Sequence, residues 1–315
     1  MSETRSDLAM VFPGQGAQSV GMMDAWSGDE TVAQTFREAS EVLGWDLWQL
    51  IEQGPAEELD RTDRTQPAIL TASVALWRVW QERGGPEPAA LAGHSLGEYS
   101  ALVAAEALSL GDAVALVAER GRYMQEAVPE GQGAMTAIIG LDDEQVQTVC
   151  AGAAQGQVVQ AVTFNAPGQG VIAGDRPAVE RAASAAQEAG AKKVMPLPVS
   201  VPSHCALMQP AAERLAERLE ATAIAAPRRP VIHNVDLSVS KDADSVRRRL
   251  VEQLASPVRW TETIQRMAGD GAQTVAECGP GKVLTGLTRR IERSLNGVAL
   301  GEPERLAETI QAFSA

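Results

Sequence analysis

Three scarcities in this chain each remove a class of protein. Its 315 residues include only three cysteines, Cys150, Cys205 and Cys278, far apart and without a C-x-x-C pair. Such spacing builds neither a disulfide framework nor a zinc site. Only three histidines occur, His94, His204 and His233, so imidazole-based chemistry must use one of them. Basic residues are outnumbered: 27 Lys and Arg against 41 Asp and Glu leave a formal net charge of −14. A broad nucleic-acid interface needs the opposite balance. A long apolar run is missing too. The uncharged stretch 145–174 is interrupted by Gln145, Gln147, Gln155, Gln157, Gln160, Asn165 and Gln169, so it is no bilayer span. The polar, mixed-charge residues 1–7 are no signal peptide. These absences predict a cytoplasmic protein. Hydrophobic residues at 45% and charged residues at 22% fit a globular chain, long enough for one large α/β domain or two domains.

Strand and helix patterns alternate along the chain. A short strand at 9–12 ends in the turn Pro13-Gly14-Gln15-Gly16. Helices are predicted over 31–43 and 66–83, the second flanked by Pro67 and by Gly84-Gly85-Pro86. A strand at 89–92 leads into Gly93-His94-Ser95-Leu96-Gly97 and a helix, and a further helix starts at Gly111-Asp112 and runs to about residue 128. The middle of the chain then reads strand 134–139, helix 142–151, strands 158–164 and 170–174, helix 176–189 and strand 192–197. That order, βαββαβ, is the split-βαβ ferredoxin-like pattern. Beyond it come a helix at 205–222, a strand at 231–235, helices at 245–254 and 260–268, a strand at 274–277 and a helix at 282–293. The pattern predicts an α/β hydrolase-like core with a parallel sheet, formed by residues 1–128 and 199–315, and an inserted ferredoxin-like subdomain at 129–198.

The G-x-S-x-G stretch between strand and helix carries the chemistry. A sharp turn there lifts the Ser95 hydroxyl clear of the sheet, and the new helix directs free N–H groups at the place where a negative oxygen forms in acyl transfer. A serine hydroxyl needs a base within hydrogen-bond reach. His204, in Pro202-Ser203-His204-Cys205, has the reference pKa to take that proton at neutral pH. His94 adjoins Ser95, but neighbouring side chains on an extended turn diverge, which makes it a pocket or structural residue. His233 reads as structural. Asp236 is a possible acid to orient the histidine, although nothing singles it out, and a backbone carbonyl can do the same work. The Gly-rich turn at Gln15 is a second source of an oxyanion N–H.

Six motifs in one order, across residues 8 to 293, resemble malonyl-CoA:acyl carrier protein transacylases. They are Val11-Phe12-Pro13-Gly14-Gln15-Gly16-Ala17-Gln18, Gly93-His94-Ser95-Leu96-Gly97-Glu98-Tyr99, Glu119-Arg120-Gly121, Asn165-Ala166-Pro167-Gly168-Gln169, Val201-Pro202-Ser203-His204, and Glu277-Cys278-Gly279-Pro280-Gly281-Lys282-Val283-Leu284. Ala17 and Ala166 stand where serine is common in that family, and Cys278 where an apolar residue is common. The family fold is a hydrolase-like core with a ferredoxin-like insert. The resemblance implies that Ser95 accepts the acyl group and His204 is the base. It further implies that the Gln15 and Leu96 amides form the oxyanion hole, that Arg120 holds the malonyl carboxylate, and that the main-chain carbonyl of Gln253 orients the histidine. Asn165 and His94 belong to the pocket. No metal and no permanently bound cofactor are implied; malonyl-CoA is the substrate, and the phosphopantetheine belongs to the carrier protein. Docking of an acidic carrier calls for a local basic patch, with Lys282, Arg289, Arg290, Arg293, Arg247, Arg248 and Arg249 as candidates. A serine hydrolase, an acyltransferase serving a polyketide synthase and a non-enzymatic scaffold remain as alternatives.

Overall fold

The computed structural model describes residues 4–199 and 201–314. Met1-Ser2-Glu3 of the polar opening, Ser200 of the strand-like Val199-Ser200-Val201 run, and Ala315 lie outside the described residues.

In chain order, β1 (Thr4–Phe12) is followed by α1 (Glu30–Leu43), α2 (Leu47–Gln53), α3 (Ala56–Leu59) and α4 (Thr62–Glu82). Next come β2 (Glu87–Gly93), α5 (Gly97–Ala104), α6 (Leu110–Ala127), β3 (Gly133–Ile139), α7 (Asp143–Ala153), β4 (Val159–Ala166), β5 (Gln169–Asp175), α8 (Arg176–Glu188) and β6 (Lys193–Pro196). The chain ends with α9 (Gln209–Glu220), β7 (Val231–Ile232), α10 (Ala243–Leu254), α11 (Trp260–Gly269), β8 (Thr274–Glu277), α12 (Val283–Ile291), β9 (Asn296–Ala299) and α13 (Pro303–Ser314).

Local chemistry sets several boundaries. Asp29 caps α1 through the Val32 N–H, and Gly44 closes it in the left-handed conformation. Ser109 caps α6. Asp142 and Gln145 form a reciprocal capping box at the start of α7. The long helix differs from expectation at its start. It begins at Thr62, four residues before Gln66, and carries Pro67 inside it. Proline lacks the N–H that would bond back one turn, yet burial of nearly every residue from Thr65 to Trp80 outweighs that loss. The helix expected at 205–222 divides into a 3-10 turn at Ala206–Met208 and α9, with Pro210 in the first turn of α9. The strand expected at 231–235 is only two residues long, because His233 and Asn234 turn away to bond with Glu98.

Five strands form a parallel sheet in the order β7-β2-β1-β8-β9. Residues Leu8–Phe12 are buried without alternation, as strands covered on both faces by helices must be. Four strands form a separate antiparallel sheet, order β4-β5-β3-β6, with α7 and α8 packed on it. This βαββαβ arrangement is ferredoxin-like, so the expected fold class holds. The loop between α10 and α11 is bonded to the antiparallel sheet by main chain: Phe164 N–H donates to the Val258 carbonyl at 3.0 Å and Val258 N–H to Val162 at 2.9 Å.

The register puts the ends of β1 and β2 side by side, with Phe12 opposite Gly93. The loops after β1, β2 and β7 therefore leave the sheet at one edge, where open parallel sheets form their crevices.

A candidate active site

Ser95 sits on the turn between β2 and α5 with φ +52°, a left-handed backbone that a residue with a Cβ rarely adopts. The turn is tight. A Cβ on Gly97 would come within 2.1 Å of the Phe12 carbonyl oxygen, so only glycine lets α5 start against the end of β1. Ser95 Oγ is 2.7 Å from His204 Nε2, across 109 positions of sequence. His204 also has a left-handed backbone, φ +65°, and its N–H donates to the Leu254 carbonyl at 3.2 Å. Its Nδ1–H donates to the Gln253 carbonyl at 2.8 Å. Gln253 lies in the last turn of α10, where carbonyls lack helical partners and the dipole is negative. With Nδ1 committed as a donor, Nε2 is left as the acceptor facing the hydroxyl. Asp236 is not the orienting acid: it pairs with Arg249 and accepts from Ser238.

Arg120 is 1% exposed. Gly121 makes this possible, since a Cβ there would lie 2.7 Å from the Thr62 carbonyl oxygen; α6 therefore crosses α4 closely, and Arg120 meets Gln66. Its Nη1 donates to Gln66 Oε1 at 2.9 Å, and Nη2 to Gln253 Oε1 at 3.2 Å and to Ser95 Oγ at 3.4 Å. Nε has no partner, and among the described residues no carboxylate pairs with this guanidinium. The hydrogen-bond partners of this buried cation are thus all neutral, an arrangement with capacity to receive an anion.

His94 Nε2 donates to Asn165 Oδ1 at 2.8 Å, and its ring lies 5.3 Å from that of Trp260. Asn165 belongs to β4, so this hydrogen bond spans the two sheets. The Gln15 and Leu96 backbone N–H groups have no hydrogen-bond acceptor among the described residues. Ser95, His204, Arg120, His94, Asn165, Gln15 and Leu96 line one cavity of about 210 Å³, with Met124, Met135 and Thr163 among its walls. Gln253 stands behind Arg120 and His204.

Burial, and then the Arg120 charge, push the His204 pKa down to about 3. Burial also lowers His94. Both rings are neutral at neutral pH.

Sequence reasoning did not find Gln66, or the side-chain role of Gln253, whose Nε2 donates to the Ser95 carbonyl and to Glu98 Oε2, each at 3.0 Å. The available signal was a polar residue on an otherwise apolar helix face. Of the basic candidates, Arg247 is engaged by Asp244 and by the Leu219 and Thr222 carbonyls, and Arg249 by Asp236 and Ser238. Lys282, Arg289, Arg290, Arg293 and Arg248 are exposed and have no carboxylate partner among the described residues.

The family model for the acyl transferase domain matches residues 9–311. The malonyl CoA-acyl carrier protein transacylase of Escherichia coli K12 is 57% identical over 307 residues, covering 97% of this chain and 99% of that protein. A solved malonyl-transacylase in complex with a type II polyketide synthase acyl carrier protein is 54% identical, with TM-score 0.96 over 97% of this chain and 99% of that one. The transacylase structure from Coxiella burnetii is 48% identical, with TM-score 0.97 over 100% and 99%.

Buried His204 and half-buried His94 set an acid limit on stability. Below the ordinary histidine pKa of about 6.5 the unfolded chain binds protons that these folded rings take up less readily, so stability falls as pH drops. The expected slope approaches about 1.4 kcal/mol per pH unit for His204, and His94 adds to it in the same direction. Urea denaturation at stepped pH from 7.5 to 5 measures it, with His204→Gln removing its own share. Constant stability over that range contradicts the burial argument.

Proposed function

The chain belongs to the acyl transferase domain family, and on that premise we propose that it moves the malonyl group from malonyl-CoA to the phosphopantetheine thiol of an acyl carrier protein, for fatty acid biosynthesis in the cytoplasm. The observation that carries this reading is the 2.7 Å contact of Ser95 Oγ with His204 Nε2 beside a buried guanidinium whose hydrogen-bond partners are all neutral. In the proposed first half-reaction Ser95 attacks the thioester carbonyl while His204 takes its proton. The Gln15 and Leu96 amides hold the oxyanion, and coenzyme A leaves as the thiol with the proton returned by His204. In the second, the carrier thiol attacks the malonyl-serine ester with His204 again as base, which restores Ser95. The Gln253 carbonyl keeps the imidazole in the tautomer this needs.

Arg120 selects the acid substrate. A planar guanidinium grips a carboxylate through two parallel hydrogen bonds, and its Nε is unspent. Uncharged acyl groups leave that cation unpaired, which disfavours them.

We further assign residues 1–128 with 199–315 to the core unit and 129–198 to the ferredoxin-like unit. An apolar cluster from Ile138 to Ala186 whose members all lie within the second unit supports that division. For carrier docking the exposed cations favour α12 and its ends: Arg289 and Arg290 in its last turn, Lys282 just before it and Arg293 just after it. Arg289 donates to the Gly297 carbonyl at 3.1 Å and Arg290 to Gln169 Oε1 at 2.6 Å, the latter close along the chain to the pocket residue Asn165. Arg248 lies apart on α10, beside Asp242. A polyketide carrier protein is the second reading of the partner, favoured by the 54% identical transacylase bound to one.

Three outcomes test these assignments. After incubation with malonyl-CoA, mass spectrometry of a digest is expected to find the malonyl group on Ser95 and to see it leave on addition of carrier protein. No adduct at Ser95, or discharge to water at the same rate without carrier, rejects the reading. Arg120→Ala is expected to lower kcat/KM for malonyl-CoA by about 100-fold or more, as loss of a buried charge pair implies, and to raise acetyl transfer relative to malonyl; an unchanged malonyl preference removes Arg120 as selector. Reversal of Arg289 and Arg290 to Glu is expected to raise KM for carrier about tenfold and leave KM for malonyl-CoA unchanged. Equal effects on both substrates remove α12 as the docking face.

A further inference from the structure

Behind the nucleophile turn lies a buried polar cluster that no step of the proposed reaction uses. Asn234, just after β7, is completely buried. Its carboxamide spans the turn: Oδ1 accepts from the Ser95 N–H at 2.7 Å, and Nδ2 donates to the Gly93 carbonyl at 2.7 Å. The N–H of Asn234 donates to Glu98 Oε2 at 2.9 Å. Glu98, in the first turn of α5, is equally buried, and its Oε1 accepts from His233 Nδ1–H at 2.7 Å. His233 Nε2 is 2.8 Å from Ser240 Oγ. The end of β7 is thus bonded to both sides of the Ser95 turn.

The turn needs such support. Ser95 holds a left-handed backbone, which persists only where the surroundings over-determine it. At the start of a helix its N–H also has no intrahelical acceptor, and Asn234 supplies one. We infer that Asn234 is a positioning residue for the nucleophile: its carboxamide clamps residues 93 and 95 and so keeps Ser95 Oγ on His204 Nε2. Asn234 does not line the catalytic cavity, and Arg120 is held by Gln66 and Gln253. Loss of the clamp therefore slows attack by Ser95 and leaves recognition of the malonyl carboxylate intact. This inference rests on Ser95 being the acyl acceptor.

Single-turnover acylation by malonyl-CoA separates the two effects. The wild-type protein tests whether Ser95 is acylated at all, and only the variants test the clamp. Asn234→Ala, shown to be folded by circular dichroism, is expected to lower the maximal acylation rate by about 10- to 100-fold, as a misplaced reacting atom implies. The malonyl-CoA concentration giving half that rate is expected to stay within about twofold, since Arg120 is untouched. Asn234→Asp keeps an oxygen for the Ser95 N–H and loses the donor to Gly93, so it is expected to recover part of the rate. It carries the test on the same criteria if the alanine variant does not fold. A folded variant that acylates at the wild-type rate, or one whose loss lies in the half-saturating concentration, overturns the inference. Failure of both variants to fold makes Asn234 a residue of the fold and overturns it as well.

Discussion

A buried guanidinium whose hydrogen-bond partners are all neutral organises this interior. Arg120 forces the carboxamides around it to present oxygen: Gln66 Oε1 and Gln253 Oε1 both accept from it. An amide with its oxygen committed must turn its nitrogen away. For Gln253 that nitrogen meets the Ser95 carbonyl and Glu98 Oε2. One cation therefore fixes the direction of a hydrogen-bond chain that ends at the nucleophile turn and at a buried carboxylate. The same charge weakens His204 as a proton acceptor in the resting site. A substrate carboxylate on Arg120 would cancel much of that field, so binding of the acid substrate would itself strengthen the base.

The pair that meets at 2.7 Å is strained at both ends. Ser95 and His204 each have positive φ, and neither is glycine. Such backbones survive where neighbours leave no alternative. For Ser95 the neighbours are the ends of β1 and β7. For His204 they are the last turn of α10, through the carbonyls of Gln253 and Leu254. A helix C-terminus accepts from Nδ1–H here, and in the proposed reaction it would do what an aspartate does in other serine sites, stabilising positive charge on the ring. Because a carbonyl carries only partial charge, this support costs less to bury than a carboxylate.

The strand-turn-helix around Ser95 was legible because its glycines have no substitute; the absent Cβ of Gly97 leaves room for the Phe12 carbonyl. The βαββαβ order was legible because its turns and caps are local, as at Asp142 and Gln145. Elements shaped by distant packing were not. Short α2 and α3 flank Gly54-Pro55, β7 has two residues and β9 only four. Pro67 reads as a helix start, and burial carries the helix across it. At the site, Ser95, His204 and Arg120 stood out through their motifs. Glu98 and Asn234 did not, since their partners lie up to 141 positions away and no local pattern records such pairs. A main-chain carbonyl as the histidine's partner is invisible by nature, because every residue has one.

The proposed transfer calls for an acyl site that can be shaped without moving its nucleophile, and the two sheets divide that labour. The parallel sheet carries Ser95 and the amides of Gln15 and Leu96. The antiparallel sheet brings Met135, Thr163, Asn165 and Val171 over them as the opposite wall. That wall is fastened by main-chain bonds between β4 and Val258 and by Thr261 Oγ1 donating to the Phe164 carbonyl at 3.0 Å. Main-chain fastening tolerates change in the side chains it carries, so the wall can be reshaped for a different acyl group without moving the serine or its base. The cavity it encloses, about 210 Å³, mixes polar residues such as Gln15, Thr62, Ser203 and His204 with Met124, Met135, Val171 and Leu197, so its walls offer hydrogen bonds as well as apolar contact to an acyl group.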